Sequence, residues 1–127
     1  PPDLVTICDG YNDKSAAMSP QFFKYCLADY IDRICRLTGG HAAVVPITTL
    51  RGGKWRFTMM EDYAEVTRQL CRERDLACLD LSAEIAPLGR AGWEPMLGDL
   101  AHPNAQGHRW LAERMADWIV ARIAELN

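Results

Sequence analysis

Two spacings of apolar residues alternate along the chain, and they predict strands and helices in turn. Leu4–Cys8 is a short apolar run, rich in residues that favour strands, and predicts a buried strand. Residues 10–13 predict a turn or loop. Ser19-Pro20 then supplies an N-cap and a proline at the first helical position, and Gly39-Gly40 ends the helix. The core-facing stripe predicted for this helix, with apolar residues about every four positions, is Phe22, Phe23, Cys26, Leu27, Tyr30, Ile31, Ile34 and Cys35.

The same alternation continues through the second half of the chain. Ala42–Val45 predicts a second strand that Pro46 closes or kinks, and 76–81 predicts a third. Between them, the capping-box pattern Thr58-x-x-Glu61 starts a helix, and another helix begins near Asn104 or Ala105. The apolar faces predicted for these helices are Tyr63, Val66 and Leu70 in the first, and Leu111, Met115, Trp118, Ile119 and Ile123 in the second.

This order of elements predicts an α/β fold, a three-layer αβα, flavodoxin-like arrangement in which helices cover both faces of a parallel sheet. A chain of 127 residues fits a single domain spanning 1–127. Parallel strands place ligands at their carboxyl ends, so the loops 9–13, 47–57 and 82–103 should share one rim. Three strands are few for an architecture that commonly has about five or six. We therefore expect N-terminal strands of the sheet to be absent from these residues.

Composition narrows the classes of partner. The formal net charge of -3 offers no electrostatic reason to bind nucleic acid or an anionic membrane. No apolar run approaches the roughly 20 residues that span a bilayer. The five cysteines contain no Cys-x-x-Cys pair and favour reduced packing thiols, which leans towards the cytoplasm. Because the sequence opens at Pro1-Pro2 without a methionine, a removed signal peptide stays open as an alternative.

The segment from Asp99 to Asn104 carries the most specific chemical pattern. A carboxylate three residues before a histidine can accept a hydrogen bond from one ring nitrogen of His102 and leave the other free to take a proton, as in a Ser-His-Asp triad. Pro103 disfavours helical angles at His102, so the imidazole should lie on a loop just before the last helix. The alternative is an ordinary acid near a helix and a surface histidine.

A second candidate lies at the carboxyl end of the first predicted strand. The side-chain amide of Asn12, within Gly10-Tyr11-Asn12-Asp13, can direct a donor at a developing oxyanion. The alternative is ordinary turn chemistry, because Asn and Asp are common after Gly in turns.

In this order, the two segments resemble blocks of the SGNH (GDSL-like) hydrolase family. Residues 2–7 followed by Gly10-x-Asn12-Asp13 are similar to the family's third sequence block. The run Asp99-x-x-His102-Pro103-Asn104-x-x-Gly107-His108 is similar to its fifth. The resemblance covers the chain from end to end and implies that no metal or organic cofactor is needed. The roles it implies are oxyanion donor for Asn12, general base and then acid for His102, and orienting acid for Asp99.

The chain departs from the family at the nucleophile. The family's Gly-Asp-Ser block and its glycine block, which supplies an oxyanion amide, are not recognisable here. Among internal serines, nothing in the sequence places Ser15 against His102, Ser19 is better explained as a helix cap, and Ser82 lacks an elbow motif such as Gly-x-Ser-x-Gly. We expect the nucleophile outside these residues, in a segment that was cleaved or is supplied by another chain.

The remaining candidates favour structural roles. His108 and His41 are expected at the surface, and a metal site from Asp99, His102 and His108 lacks the i, i+4 spacing of helical ligands. Trp93 and Met96 line either a substrate pocket or the core. A polar loop at 48–57 carries three cations whose default is solvation, with contact to an anionic substrate as the alternative; they are Arg51, Lys54 and Arg56.

The function expected from this pattern is serine ester hydrolysis of a small-molecule ester or thioester, with the nucleophile outside the 127 residues. The implied partners are a companion N-terminal segment or a second copy, paired along the edge of the first strand. Two alternatives remain. One is a non-catalytic interaction module or inactive fragment derived from such a hydrolase. The other is a small-ligand or phosphate-binding flavodoxin-like domain, for which no glycine-rich phosphate loop opens a helix.

Overall fold

The structure is a computed structural model that describes residues 1–126. Two strands, β1 (Leu4–Cys8) and β2 (Ala43–Ile47), pair in parallel with Ile7 opposite Pro46. One parallel bridge from Ile47 to Leu79 adds a third segment beside β2. The α/β class with a parallel sheet is therefore confirmed.

Helices cover both faces of this sheet. On one face, α2 and α4 pack against Ile7 and Val44; on the other, α5, α6 and α7 pack against Val45 and Ile47. Successive residues of a strand point to opposite faces, so the adjacent valines of β2 belong to different cores. The helices are α1 (Tyr11–Ser15), α2 (Pro20–Leu37), α3 (Arg56–Met59), α4 (Glu61–Arg74), α5 (Leu81–Ile85), α6 (Gly89–Trp93) and α7 (Ala105–Leu126).

Helix α2 begins and ends as its sequence predicts. The Ser19 hydroxyl accepts a hydrogen bond from the Phe22 amide at 3.1 Å, and Gly39 and Gly40 follow with positive φ. The predicted stripe was too wide. Adjacent residues differ by about 100° around a helix, so a pair of neighbours does not face the core equally. Phe23, Leu27 and Ile31 are buried, whereas Phe22 and Tyr30 remain 53% and 49% exposed.

The third predicted strand, 76–81, was wrong in extent, because only Leu79 bridges to β2. The second strand also runs further than predicted and contains Pro46. Leu79 donates to the Pro46 carbonyl and accepts from the Thr48 amide. The preceding hydrogen bond of a parallel ladder would need a backbone N–H at residue 46, and proline has none. The pairing on this side of β2 is therefore limited to one bridge.

The capping-box prediction at Thr58-x-x-Glu61 was also wrong. Thr58 lies within the short helix α3, and α4 begins at Glu61 after Met60, which makes no side-chain cap. The Glu61 carboxylate instead accepts hydrogen bonds from Arg51 at 2.5 Å and Arg68 at 2.8 Å. The buried face predicted for this helix is nonetheless correct.

Two segments are more exposed than their apolar residues predict. Leu4, Thr6 and Cys8 all lie on one exposed face of β1, so the prediction of a buried strand holds for the opposite face only. On α7, Leu111 is buried but Ile123 is 54% exposed, because the helix extends past the core. None of the helices within residues 1–126 combines the length and apolar character that crossing a membrane requires.

Candidate active site

The three loops expected to share a rim meet around one cavity of about 410 Å³ at the carboxyl ends of the strands. The segment after β1, the loop after β2 and the loop before α7 each contribute to it. Its lining is Cys8, Asp9, Gly10, Tyr11, Asn12, Ser15, Thr49, Leu50, Arg56, Ala101, His102 and Pro103. Both the oxyanion candidate and the histidine candidate therefore border the same space.

Asp99 and His102 are hydrogen bonded to each other. Nδ1 of His102 lies 2.9 Å from Oδ2 of Asp99. The imidazole is 82% exposed on the cavity rim, and no group among residues 1–126 occupies its Nε2. This arrangement leaves Nε2 open to exchange a proton with a molecule in the cavity.

The loop that carries this pair closes on itself. Leu97 and Pro103 form an antiparallel bridge, and the Gly98 amide donates to the His102 carbonyl at 2.8 Å. The side-chain amide nitrogen of Asn104 donates to the Pro95 carbonyl at 2.8 Å, while its side-chain oxygen accepts from the Gly107 backbone amide at 3.0 Å. Asn104 therefore caps α7 and ties the helix to the chain before the loop.

Hydrogen bonding also fixes the charge of Asp99. The backbone amides of His102 and Ala101 each donate to its Oδ1 at 2.7 Å. These two amides, followed by the His102 ring, lower the pKa of Asp99 from 3.8 to about 2. The carboxylate is thus ionised at neutral pH, as an orienting acid must be.

Asn12 does not lie on a turn, as predicted, but in the short helix α1. Gly10 precedes that helix with φ of 106°, and a Cβ there would stand 2.5 Å from the Thr49 hydroxyl, so glycine is required. The Thr49 hydroxyl also donates to the Asp9 carbonyl at 2.7 Å. Asn12 itself is exposed, and its amide has no hydrogen-bond partner within the described part of the chain. Its donors are free to point into the cavity.

Two lining residues were not predicted as site residues. Tyr11 occupies the unspecified position of the Gly-x-Asn-Asp motif, and Arg56 was one of three cations in a polar loop. The Arg56 guanidinium donates to the Tyr11 hydroxyl at 3.0 Å. This contact, between residues 45 positions apart in the sequence, is what marks them as a pair, and no local sequence pattern predicts it.

The three serines of the chain differ in position. Ser19 caps α2 as predicted, and Ser82 is fully buried and does not line the cavity. Ser15 does line the cavity together with His102, which the sequence did not predict. Its hydroxyl donates to the Tyr11 carbonyl at 3.1 Å. Within residues 1–126, no serine is hydrogen bonded to His102.

The Cys8 thiol also borders the cavity. Although part of the residue is exposed, desolvation at the strand end and then the Asp9 carboxylate raise the pKa of Cys8 to about 11. The group is therefore a neutral thiol at pH 7, which is a poor nucleophile.

Other predicted candidates have structural roles. Arg51 was expected to be solvated, but it is buried and donates to the Ser82 and Phe57 carbonyls and to Glu61. The Trp93 indole is buried and donates to the Arg51 carbonyl at 2.9 Å, so it belongs to the core.

The two remaining histidines lie apart from the cavity lining. His41 is exposed and pairs with Asp3 at 2.8 Å, and His108 is exposed on α7. Among the residues that the structure describes, no group of three or more His, Cys, Asp or Glu side chains is arranged to hold a metal ion.

Comparisons with known proteins concern the family and the fold of the chain. No curated protein sequence matches the chain. Among solved structures, the acetyl xylan esterase AlAXEase is similar with a TM-score of 0.75 and 18% identity, over 93% of this chain and 67% of that one. At this identity the likeness concerns the fold. A family model described as GDSL-like lipase/acylhydrolase matches residues 1–110. The chain therefore belongs to the GDSL-like lipase/acylhydrolase family.

Proposed function

We propose that the residues around the cavity are the acid–base and oxyanion part of a serine ester hydrolase. The observation that carries the proposal is the His102 imidazole, which borders the cavity, is held by Asp99 through Nδ1 and has no hydrogen-bond partner at Nε2 within residues 1–126. Asn12, whose side-chain amide makes no hydrogen bond within the described residues, lines the same cavity. This division of roles is the one that acyl transfer requires.

In the proposed reaction, a serine hydroxyl attacks the ester carbonyl and its proton passes to Nε2 of His102. Asp99 remains ionised and stabilises the imidazolium. The Asn12 amide donates to the oxygen of the tetrahedral intermediate. His102 then protonates the leaving alcohol, and a water molecule releases the acyl group by the same sequence of proton transfers.

The nucleophile is proposed to come from outside the 127 residues, on a segment that pairs with the free edge of β1. That edge has no partner strand within the described residues, and an unpaired edge readily adds a strand. A second candidate is Ser15, because it lines the cavity. For Ser15 to act, its hydroxyl would have to leave the Tyr11 carbonyl and turn to His102.

The proposed substrate is a small-molecule ester. The similar solved structure is described as an acetyl xylan esterase, which favours a short acyl group on a carbohydrate over a long-chain lipid. A cavity of about 410 Å³ accommodates an acyl group with part of its alcohol.

The test is intact-mass analysis of the purified protein after treatment with a fluorophosphonate, which reacts with activated serines. We expect one adduct that is lost in His102→Ala and retained in His108→Ala, a matched exposed histidine outside the cavity lining. An adduct on a heavier chain or a companion fragment places the nucleophile outside these residues. An adduct lost in Ser15→Ala identifies the internal serine. If no species is labelled and 4-nitrophenyl acetate is not hydrolysed, the proposal is wrong.

An interaction module derived from a hydrolase is the alternative function. The exposed face and free edge of β1 favour it. Sedimentation velocity of the chain separates the two partners proposed for that edge, because a second copy gives a concentration-dependent dimer. A companion segment instead co-purifies as a separate species.

A further inference from the structure

We infer that Tyr11 and Arg56 are positioning residues that hold the His102 loop at a set distance from the Asn12 helix. The inference rests on the proposed function, because it concerns the alignment of the proposed base with the proposed oxyanion donor. The hydrogen bonds between Asp99 and His102 are internal to one loop, and they orient the imidazole within that loop. They do not set where the loop lies relative to α1.

The Tyr11 hydroxyl makes the connection between the two segments. It donates to the Leu100 carbonyl at 3.1 Å, across 89 residues of sequence. Leu100 lies between Asp99 and His102, while Tyr11 directly precedes Asn12. One hydroxyl therefore ties the backbone of the proposed acid–base loop to the helix that carries the proposed oxyanion donor.

Arg56 completes the link. Its guanidinium donates to the Tyr11 hydroxyl at 3.0 Å and lies 5.7 Å from the centre of the Tyr11 ring and 6.0 Å from that of Trp55. Within residues 1–126 it forms no ion pair, and its Nε is buried without a hydrogen-bond partner. A cationic donor polarises the hydroxyl that it binds, which strengthens that hydroxyl's own donation to Leu100.

Gly52 allows these groups to approach each other. A Cβ on Gly52 would stand 2.7 Å from the Tyr11 hydroxyl and 2.7 Å from the Leu100 carbonyl, which leaves no room for a side chain. The Gly53 amide donates to the same Leu100 carbonyl at 2.9 Å. The loop after β2 thus meets α1 and the His102 loop at one point. There the Leu100 carbonyl accepts one hydrogen bond from α1, through Tyr11, and one from the loop after β2, through Gly53.

The pair matters because the ring of His102 is 82% exposed, so its position depends on the backbone of the loop that carries it. A base on an exposed loop is held by backbone contacts, and a displacement of about 1 Å can cost about 100-fold in rate. Loss of the Tyr11 hydroxyl removes one backbone contact of this loop and leaves the Gly53 contact in place. The expected result is a loosened loop in a folded protein.

The test compares Tyr11→Phe with two matched variants of the same chemistry. Tyr63→Phe removes a hydroxyl that donates to the Met18 carbonyl in the core, and Tyr25→Phe removes one from a residue that is 69% exposed. The first readout is amide hydrogen exchange at Gly53, Ala101 and His102, measured by NMR on the 127-residue chain. Tyr11→Phe should raise exchange about three- to tenfold at these amides, the effect of one lost hydrogen bond. Neither control should raise it there.

A second measurement separates positioning from general stability. In the preparation that hydrolyses 4-nitrophenyl acetate, Tyr11→Phe should lower kcat about tenfold with KM unchanged. Tyr63→Phe should lower Tm and leave kcat unchanged. Arg56→Lys should keep more of the exchange protection than Arg56→Gln, because only lysine retains a cationic donor.

The inference is overturned if Tyr11→Phe leaves exchange of all three amides at the original rate, or if kcat falls equally in Tyr63→Phe. Its failure is distinct from failure of the proposed function. If the unsubstituted protein hydrolyses no ester, the proposed function is wrong. The exchange data then still decide whether Tyr11 holds the loop.

Discussion

Gly107, in the first turns of α7, packs directly against the carbonyl oxygen of Met96. A Cβ built on Gly107 would stand 2.2 Å from that oxygen and 3.0 Å from the Cβ of Pro103. The same carbonyl accepts a hydrogen bond from the backbone amide of Asn104 at 2.8 Å. The residues at both ends of the His102 loop therefore pack against the start of α7, where Gly107 has no space for a side chain.

Gly107→Ala should consequently destabilise the protein. The new methyl group must displace Met96 or tilt α7, and overpacking of this kind costs about 1–3 kcal/mol of unfolding free energy. Urea denaturation measures it, with Gln106→Ala, an exposed neighbour on the same helix, as control. An unchanged midpoint in Gly107→Ala would show that the contact is looser than described.

Asn12→Ala should impair hydrolysis without affecting folding. If its amide stabilises the oxyanion, the loss of one such donor lowers kcat about 100- to 1000-fold. Because the side chain is exposed and makes no hydrogen bond within the described residues, the unfolding free energy should change by less than about 0.5 kcal/mol. Gln21→Ala, an exposed amide on α2, is the matched control for kcat. Equal kcat values for the two variants would exclude Asn12 from the oxyanion site.

The charge of Asp99 should govern the loop at low pH. Its pKa in the folded protein, about 2, lies below the ordinary 3.8, so the ionised form stabilises the folded loop. That contribution is fully present above about pH 5 and is lost as the pH falls through 3.8 towards 2. Titration of the Asp99 carboxyl carbon by NMR measures the value.

His102→Ala identifies which hydrogen bonds lower the pKa of Asp99. The substitution removes the imidazole but keeps the backbone amide, which is the largest contributor together with that of Ala101. Most of the lowering should therefore persist. Titration of Asp99 near 3.8 in this variant would show that the ring, rather than the backbone, controls the carboxylate.

Arg51→Met should destabilise the fold far more than the loss of a surface arginine. The buried guanidinium donates to the Ser82 and Phe57 carbonyls, and its removal leaves them without this donor. The expected cost is about 2–4 kcal/mol in urea denaturation. Arg90→Met, which breaks an exposed pair with Glu94, should cost less than about 1 kcal/mol. Similar costs for both would contradict the buried role of Arg51.

Features that depend on neighbouring residues could be predicted from the sequence. The Ser19 cap and the glycines after α2 act within one helical turn, so the bounds of that helix were predicted correctly. Asp99 and His102 are three residues apart, and the hydrogen bond between them was predictable for the same reason. Their catalytic roles stay predictions.

Features that depend on distant segments could not be predicted. The single bridge at Leu79 depends on which side of β2 the N–H that Pro46 lacks would face. The burial of Arg51 depends on acceptors from three other segments, at Phe57, Glu61 and Ser82. The Tyr11 hydroxyl meets a carbonyl 89 residues away.

The sequence by itself thus determined the α/β class and the family, because the spacing of apolar residues and the order of two short motifs can be read along the chain. It also determined the local pairing of Asp99 with His102, because the two residues are three positions apart. Only the tertiary structure decided which apolar residues are buried, which arginine is structural and which borders the cavity. It also decided that the Tyr11 hydroxyl donates to the Leu100 carbonyl, 89 residues away in the sequence. The physical reason is that these properties arise from packing between segments whose contacts no short pattern encodes.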